Sequence, residues 1–251
     1  MSFHLYPVAA DAITNDTLTD KVVVLDLDST LIHTQENFED SKKLNIINDP
    51  TLMALKRRCY FFKLTEFEKN GEGTRYDYWG IKRHHLDEFL LFCFNYFKIV
   101  IVWSAGTKNY VHAIVNTIFK NLKMPHIIWT KDDTEYEDKN VIKDLTKLIK
   151  TIDNAAIKPY LKLEKMIVID DNETTFSKNK KNAVYIPPYD PLPKLSDLNK
   201  SDTALLQIKY WLLLPHVMYS DNVTKLDLTS IFKYTHDDYK NIANSYYDDV
   251  N

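Results

Sequence analysis

Three short apolar runs, each followed at once by polar residues, limit the fold of this chain most strongly. They occupy residues 21–27, 98–103 and 165–169, and they are rich in Val and Ile. Runs of this length and composition are typical of strands buried on both faces of a parallel sheet. Apolar residues at helical spacing separate the second run from the third: Tyr110, Ile114, Ile118 and Leu122, then Val141, Leu145 and Leu148. The pattern predicts an α/β fold around a parallel sheet.

The polar clusters that end these runs predict where a site would form. They lie at residues 26–30, 104–107 and 170–174. The carboxyl ends of parallel strands line up along one edge of an open α/β sheet, where sites form. We therefore expect the three clusters to lie close together.

The rest of the chain divides into four segments. Residues 35–80 mix charged and aromatic side chains and contain Asn-Gly-Glu-Gly at 70–73, a hairpin-turn signal, so we predict an insertion with a β-hairpin. The proline-rich residues 178–198 are predicted to run over the surface, followed by a helix over 197–214. Residues 1–20 are predicted to be an N-terminal extension of a single domain over 21–215. The tail, 216–251, either docks on this core or lies apart from it.

Composition narrows the function classes. The net charge is −3, so bulk attraction to nucleic acid is not indicated, and Lys178, Lys180 and Lys181 are interpreted as a solvated face. Two cysteines without Cys-x-x-Cys spacing favour a reducing compartment over a disulfide or zinc site. The start of the chain lacks a secretory pattern, and no apolar run is long enough to span a bilayer. We expect an intracellular protein, nuclear or cytoplasmic, without membrane contact.

Asp26 and Asp28 carry the first candidate chemistry. They follow a buried strand at positions i and i+2, so both reach the sheet edge. A carboxylate can attack phosphorus and form an acyl phosphate, while a neighbouring carboxyl moves protons. We assign attack to Asp26 and proton transfer to Asp28. Taken alone, the pair would more often be a turn whose side chains cap local amides; the other strand ends argue against that interpretation.

Those other strand ends supply matching groups. Ser104 offers a hydroxyl, followed by the amides of Ala105 and Gly106, a potential anion site. Lys143 precedes a predicted helix and could neutralise a transferring phosphoryl group. Asp170 and Asp171 form an oxygen-rich cluster suited to Mg²⁺.

Residues 26–34, Asp-Leu-Asp-Ser-Thr-Leu-Ile-His-Thr, resemble the Asp-x-Asp-x-Thr-Leu-hydrophobic-His signature of a known family. That family is the haloacid dehalogenase (HAD) superfamily phosphatases of the RNA polymerase II C-terminal-domain (CTD) type, which include the small CTD phosphatases. Similar segments cover residues 81–90, 102–105, 141–145 and 166–172. The resemblance implies a three-layer, Rossmann-like fold with a central parallel sheet and a small β-hairpin insertion in place of a large cap.

The resemblance also implies roles for individual residues. Asp26 would be the phosphorylated residue, Asp28 the acid/base, and Ser104 and Lys143 phosphate binders. The implied Mg²⁺ site comprises Asp26, Asp28 through its backbone, Asp170 and Asp171. The residues implied to contact substrate are Thr30, Ala105, Tyr110 and Lys131. The implied substrate is a phosphoserine or phosphothreonine protein or peptide, such as the RNA polymerase II CTD.

Departures from the family pattern leave the substrate open. His84 replaces a proline, the insertion is longer than in the smallest members, and residues 151–161 are extra. One alternative is a catalytically silent binding module on the same fold, as in the mitochondrial translocase subunits that resemble these phosphatases. Another is a HAD phosphatase acting on nucleic-acid ends or small metabolites, since fold does not fix function.

Overall fold

The structure is a computed structural model that describes residues 16–67 and 73–248. Its strands, in chain order, are β1 (Val22–Leu25), β2 (Ile32–Gln35), β3 (Cys59–Phe67), β4 (Gly73–Lys82), β5 (Ile99–Trp103), β6 (Ile127–Trp129), β7 (Glu135–Glu137), β8 (Asn140–Ile142), β9 (Met166–Asp170) and β10 (Ala183–Tyr185). Its α-helices are α1 (Phe38–Lys43), α2 (Met53–Arg58), α3 (Leu86–Tyr96), α4 (Lys108–Ile118), α5 (Leu145–Thr151), α6 (Leu195–Leu198), α7 (Ala204–Leu212), α8 (Pro215–Met218) and α9 (His236–Asp248).

A parallel sheet forms the centre of the molecule. Within the described residues it has five strands in the order β10-β9-β1-β5-β6. Strand β1 pairs with β5 on one side and β9 on the other, and every residue of these three strands is buried. Alternate residues along β1 contribute to two apolar clusters, one under α3, α4 and α7 and the other under α5. The sheet therefore lies between two helical layers, which confirms the predicted three-layer α/β fold.

The insertion forms a separate antiparallel sheet. Its order is β2-β4-β3, with β4 in the middle, and α1 and α2 lie between β2 and β3 along the chain. Strands β3 and β4 pair from Cys59↔Ile81 to Phe67↔Gly73, so they form the predicted hairpin. Of the predicted turn at residues 70–73, residues 70–72 lie outside the described residues. The insertion is thus larger than a single hairpin.

Three details of the sequence interpretation were wrong. Val141 belongs to β8, not to a helix; α5 begins at Leu145, where the Asp144 side chain accepts from Thr146 N at 2.8 Å. Residues 178–198 do not all run over the surface, because Ala183 and Val184 are buried in edge strand β10. The predicted helix over 197–214 is two helices, α6 and α7, separated by residues 199–203.

The C-terminal tail docks on the core. Tyr239 and Ala243 of α9 are buried in the same apolar cluster as α7, and the Tyr239 hydroxyl donates to Ile231 O at 3.1 Å. Of the two alternatives for residues 216–251, docking is therefore the one observed for the described part of the tail. Among the described residues, no helix has the length and apolar character needed to cross a bilayer.

Candidate active site

Asp26 and Asp28 lie in a tight turn at the carboxyl end of β1. The amide of Asp26 still pairs with the neighbouring strand, donating to Ile169 O at 3.0 Å. The chain then leaves the sheet: Ser29 adopts a left-handed φ of 57°, and the amides of Leu31 and Ile32 both donate to Leu27 O. Because Leu27 is fully buried between them, the two aspartates emerge at the sheet edge.

Lys143 joins two of the predicted strand-end carboxylates. Its Nζ donates to Asp26 Oδ1 at 2.6 Å and to Asp170 Oδ2 at 2.7 Å, and its side chain is 1 % exposed. The amide of Lys143 donates to Thr175 O at 2.7 Å, which fixes the backbone after β8. Burial lowers the pKa of Lys143, but the two carboxylates more than offset this, so its pKa is raised and the ammonium stays charged.

Asp26, Asp170 and Asp171 could hold a metal ion. One oxygen ligand atom from each lies within 4.8 Å of the others. The Lys143 ammonium pairs with Asp26 and Asp170, so one positive charge faces a group of three carboxylates. Burial accordingly raises the pKa of Asp26; Lys143 opposes the shift and Asp170 adds to it. Carboxylate oxygens with unbalanced negative charge fit a hard cation such as Mg²⁺.

Thr30 fixes the outer carboxylate of this cluster. Its Oγ1 donates to Asp171 Oδ1 at 3.0 Å and accepts from Asp171 N at 3.0 Å. Thr30 is fully buried and Asp171 is half-buried. The hydroxyl predicted to contact substrate is therefore engaged with the acidic pair, and its substrate contact stays a prediction.

Asp28 has a different partner from the other carboxylates of the site. Its Oδ1 accepts a 2.5 Å hydrogen bond from the Tyr110 hydroxyl on α4. Burial raises the pKa of Asp28, and hydrogen bonds from Tyr110 and Thr34 oppose that shift. A carboxyl that keeps its proton longer than usual suits general acid catalysis near neutral pH. The metal contact predicted for the Asp28 backbone and the peptide contact predicted for Tyr110 both stay predictions.

Ser104 lies at the adjacent strand end. It is buried, and its Oγ accepts from Gly106 N at 3.1 Å, so the hydroxyl hydrogen can be donated to an anion. The next residue, Ala105, is exposed. Lys131 is also exposed, and its amide donates to Gly106 O at 2.9 Å, which brings the two loops together. The structure thus places all the predicted site residues around one sheet edge, with Lys131 and Ala105 at its rim.

Two residues support the turn that holds Asp26 and Asp28 without having been predicted to do so. Arg83 is 1 % exposed and donates to Thr30 O at 3.0 Å, to Pro187 O at 2.8 Å and to both carboxylate oxygens of Asp202. Asp190 accepts from the Ser29 hydroxyl and contacts His33 Nδ1 at 3.2 Å. Arg83 and His33 lie inside the segments that resemble the phosphatase family, but sequence spacing assigned neither of them a partner.

Comparisons with known proteins identify what the sequence resembles. Residues 21–224 match the family described as NLI interacting factor-like phosphatase. A CTD phosphatase-like protein of Invertebrate iridescent virus 3 is 26% identical over 204 residues, covering 75% of this chain and 93% of the viral protein. The mitochondrial import inner membrane translocase subunit TIM50 of Kluyveromyces lactis is 29% identical over 182 residues, covering 70% of this chain and 32% of TIM50.

Solved structures share the fold. The structure of Fcp1, an essential RNA polymerase II CTD phosphatase, superposes with a TM-score of 0.56 at 20% identity. A fission yeast Fcp1 variant bound to beryllium fluoride gives a TM-score of 0.57 at 18% identity. The match covers 92% of this chain in both cases but only 64% and 65% of the Fcp1 chains. By its sequence match over most of its length, the chain belongs to the NLI interacting factor-like phosphatase family.

Proposed function

We propose that this chain is a Mg²⁺-dependent phosphoserine/phosphothreonine protein phosphatase that works through an aspartyl phosphate on Asp26. The family and the shared fold support a phosphatase. The finer proposal rests on one observation, which is that two carboxyls in the same turn have different partners. Asp26 is bound to Lys143, whereas Asp28 is bound to Tyr110. Different surroundings for neighbouring carboxyls are what a nucleophile and an acid/base require.

In the first step, an Asp26 carboxylate oxygen forms a bond to phosphorus and the bond from phosphorus to the seryl or threonyl oxygen breaks. Asp28 gives its proton to that leaving oxygen. In the second step, Asp28 takes a proton from water as the water oxygen bonds to phosphorus. The bond to Asp26 then breaks and releases inorganic phosphate. Throughout, Lys143 and Ser104 offer positive charge and a hydrogen bond to the phosphoryl oxygens.

The metal belongs to the proposal because the donor set fits it. Asp26, Asp170 and Asp171, with the backbone carbonyl of Asp28, would hold Mg²⁺, which supplies positive charge opposite the phosphoryl oxygens. The Lys143 ammonium already balances part of the charge on Asp26 and Asp170. A cation in addition to the Lys143 ammonium would therefore be needed to balance the charge of the three carboxylates.

The substrate class rests on the relatives and on the insertion. Both the viral relative and Fcp1 are described as CTD phosphatases or as similar to them. The insertion sheet adjoins the acid/base through Thr34 and Tyr110, so it can contact what surrounds the phosphate. A phosphorylated protein segment, such as the RNA polymerase II CTD, is the proposed partner.

A substrate panel tests the proposal. We expect the purified chain with Mg²⁺ to release phosphate from phosphoserine heptad peptides faster than from 3′-phosphorylated oligonucleotides or sugar phosphates. Asp26→Asn, which keeps the shape of the side chain, should lower kcat by at least about 10⁴-fold, because removing a nucleophile removes the covalent route. Full activity of Asp26→Asn would overturn the mechanism, and a clear preference for oligonucleotides would overturn the substrate class.

Beryllium fluoride provides a test of the nucleophile that needs no turnover. It mimics a phosphoryl group on a carboxylate, so it should raise the Tm of the wild-type chain in the presence of Mg²⁺ and leave that of Asp26→Asn unchanged. Equal shifts in both proteins would show that the anion binds elsewhere.

The match to TIM50 favours one second candidate, a binding module without catalysis. The complete set of carboxylates, lysine and serine around the sheet edge argues against it. Tight capture of a partner by wild-type chain that releases no phosphate from any compound in the panel would favour this candidate.

A further inference from the structure

A row of three residues crosses the insertion sheet next to the site. Gly80 of β4 pairs with Thr34 of β2 on one side and with Tyr60 of β3 on the other. The Tyr60 ring lies across Gly80: a Cβ at that position would be 2.4 Å from the Tyr60 hydroxyl and 2.7 Å from His33 O. Because glycine leaves this space open, the Tyr60 hydroxyl reaches across the central strand to Thr34 Oγ1 at 2.7 Å.

The row continues to the proposed acid/base. The Thr34 hydroxyl lies 2.7 Å from the Tyr110 hydroxyl, which donates to Asp28 Oδ1 at 2.5 Å. A second glycine makes room here, since a Cβ on Gly106 would be 2.8 Å from Tyr110 Cδ1. The chain has four glycines, two of them in the predicted hairpin turn. The other two each lie against one tyrosine of this row.

The row reaches the Asp28 carboxylate through two of its members. The Tyr110 hydroxyl lies within hydrogen-bond distance of both Asp28 Oδ1 and Thr34 Oγ1. The Thr34 hydroxyl also hydrogen-bonds to Asp28, and the Tyr60 hydroxyl can donate to Thr34. We call Tyr60, Thr34 and Tyr110 the hydroxyl chain. Hydrogen bonds linked in this way strengthen one another through mutual polarisation.

Aromatic rings pack around the hydroxyl chain, whose members Thr34 and Tyr110 are partly exposed. Tyr60 is only 5 % exposed, and Phe62 stacks on Tyr78 with ring centroids 5.0 Å apart. Phe62 and Tyr78 also pack against Tyr110, at 6.0 and 5.7 Å. Simple packing would explain the rings, but it would not explain why two backbone positions lack side chains so that phenol groups can meet a threonine hydroxyl.

We propose that the hydroxyl chain positions the Asp28 carboxyl for proton transfer to the leaving oxygen, so that the insertion sheet sets the geometry of the acid/base. The inference rests on the proposed function, in which Asp28 is that acid/base. Tyr60, Thr34 and Tyr110 act through Asp28 and are positioning residues. A misdirected proton donor slows the departure of a poor leaving group far more than that of a good one, because only the poor one needs the proton.

This gives a readout that a loss of packing would not produce. The compounds are aryl phosphates whose leaving phenols have rising pKa, from p-nitrophenyl phosphate to phenyl phosphate, together with a phosphoserine peptide. The variants are Thr34→Val, which keeps the shape but removes the hydroxyl, Thr34→Ser, which restores it, and Tyr60→Phe. Thr65→Val, the same change at an exposed position of β3, is the matched control.

Thr34→Val should lower kcat/KM by about 10-fold or more on phenyl phosphate and the peptide, a fraction of what general acid catalysis contributes, and should change it little on p-nitrophenyl phosphate. The quantity compared is kcat/KM because it reports the step in which the leaving group departs and excludes the later hydrolysis of the Asp26 phosphate, which is the same for every compound. Thr34→Ser should recover most of the loss, and Tyr60→Phe should show the same trend more weakly. If Thr34→Val does not fold, Tyr60→Phe alone decides the question.

Equal losses on all three compounds, or no recovery in Thr34→Ser, would overturn the role of the hydroxyl chain while leaving the phosphatase in place. A wild-type chain without activity on any of them would instead overturn the proposed function, and the inference with it. The two failures are therefore distinguishable from wild-type turnover.

Discussion

The parallel sheet and the insertion sheet distribute their polar groups in opposite ways. Strands β1, β5 and β9 are buried along their whole length, so their candidate functional side chains lie at the strand ends or just past them. In the insertion, β4 changes from exposed at Gly73 to buried near Ile81, and polar groups such as Thr34 and Tyr60 lie within the strands. In a sheet that is buried on both faces, polar side chains are thus limited to the edge where the strands end. In a sheet that is partly exposed to solvent, polar side chains can lie within the strands and form hydrogen bonds across them.

After the loss of the nucleophile in Asp26→Asn, the largest effect expected at the parallel sheet comes from Lys143→Met. Loss of the ammonium should lower kcat by about 10²–10³-fold, the cost typical of removing one preorganised group that stabilises the transition state. Asp26 and Asp170 would then lack their buried counter-charge, so Mg²⁺ should raise the Tm of this variant more than that of the wild type. Steady-state kinetics and thermal unfolding with and without EDTA measure both.

Lys150→Met is the matched control, because Lys150 is exposed on the helix that follows. This variant should have the wild-type kcat and the wild-type change in Tm with Mg²⁺. If Lys143→Met keeps its activity, or if Mg²⁺ does not change its Tm, the carboxylates do not need the lysine for their charge balance.

The next largest effect concerns Arg83, which lies just after β4, where the insertion returns to the core. Arg83→Met leaves Asp202 without its cation and removes the donors to Thr30 O and Pro187 O. Breaking one side of a buried ion pair costs about 3–5 kcal/mol, so we expect a loss of that size in urea unfolding. Arg57→Met, at an exposed position of α2, should cost little. A loss below about 1 kcal/mol for Arg83→Met would place this arginine with ordinary surface pairs.

A pair of truncations compares the two sheets directly. Ile101→Ala removes a fully buried side chain from β5 and should cost about 3 kcal/mol, within the range for large-to-small core changes. Phe61→Ala removes an insertion side chain that is 37 % exposed, and we expect a loss near 1 kcal/mol, because much of its surface is already in water. Urea unfolding of both variants gives the comparison. Similar losses at the two positions would show that the insertion is as tightly packed as the core.

The same contrast explains what could be predicted from the sequence. The runs of β1, β5 and β9 could be recognised because a strand buried on both faces needs consecutive apolar residues. Strands β6 and β10 have three residues each, too few to form a pattern. Val141 was assigned to a helix because its spacing to Leu145 and Leu148 is helical, and this spacing arises by chance where β8 precedes α5.

Contacts between residues that are far apart in the sequence were the other part of the candidate site that could not be predicted. The carboxylates and Lys143 each follow or precede a recognisable element, so their types and positions indicated a role. Arg83 meets Thr30 and Asp202 across 53 and 119 positions of sequence, and no local pattern reports such contacts. The hydroxyl chain depends on strand register between β2, β3 and β4, which the hairpin signal at residues 70–73 does not fix.

The smallest expected effect tests the junction between the two sheets. Arg58 of α2 donates to Leu198 O and lies 2.8 Å from His84 Nε2, so it connects the insertion to the segment after β10. Burial, with the nearby Arg58 charge, lowers the pKa of His84 to about 4. Neutral His84 can accept from Arg58, whereas the protonated ring would have only donors to present to a cation.

The sign of the pH dependence follows from that shift. The pKa of His84 is about 6.5 in the unfolded chain and about 4 when folded, so the unfolded state binds the proton more readily. The contribution of neutral His84 is complete above pH about 6.5 and is lost as the pH falls toward 4. Because His84 is only half-buried, we discount the full linkage energy for solvent screening and expect a loss of about 1 kcal/mol between pH 7 and pH 4.5.

His84→Gln keeps an acceptor for Arg58 but cannot take up a proton in this range. Urea unfolding at pH 7 and pH 4.5 should therefore show a smaller acid-induced loss of stability in His84→Gln than in the wild type. His216→Gln, at an exposed position of α8, should follow the wild type. If His84→Gln loses as much stability as the wild type, the acid sensitivity arises from groups other than His84, and the stability of the junction between the two sheets does not depend on pH in this range.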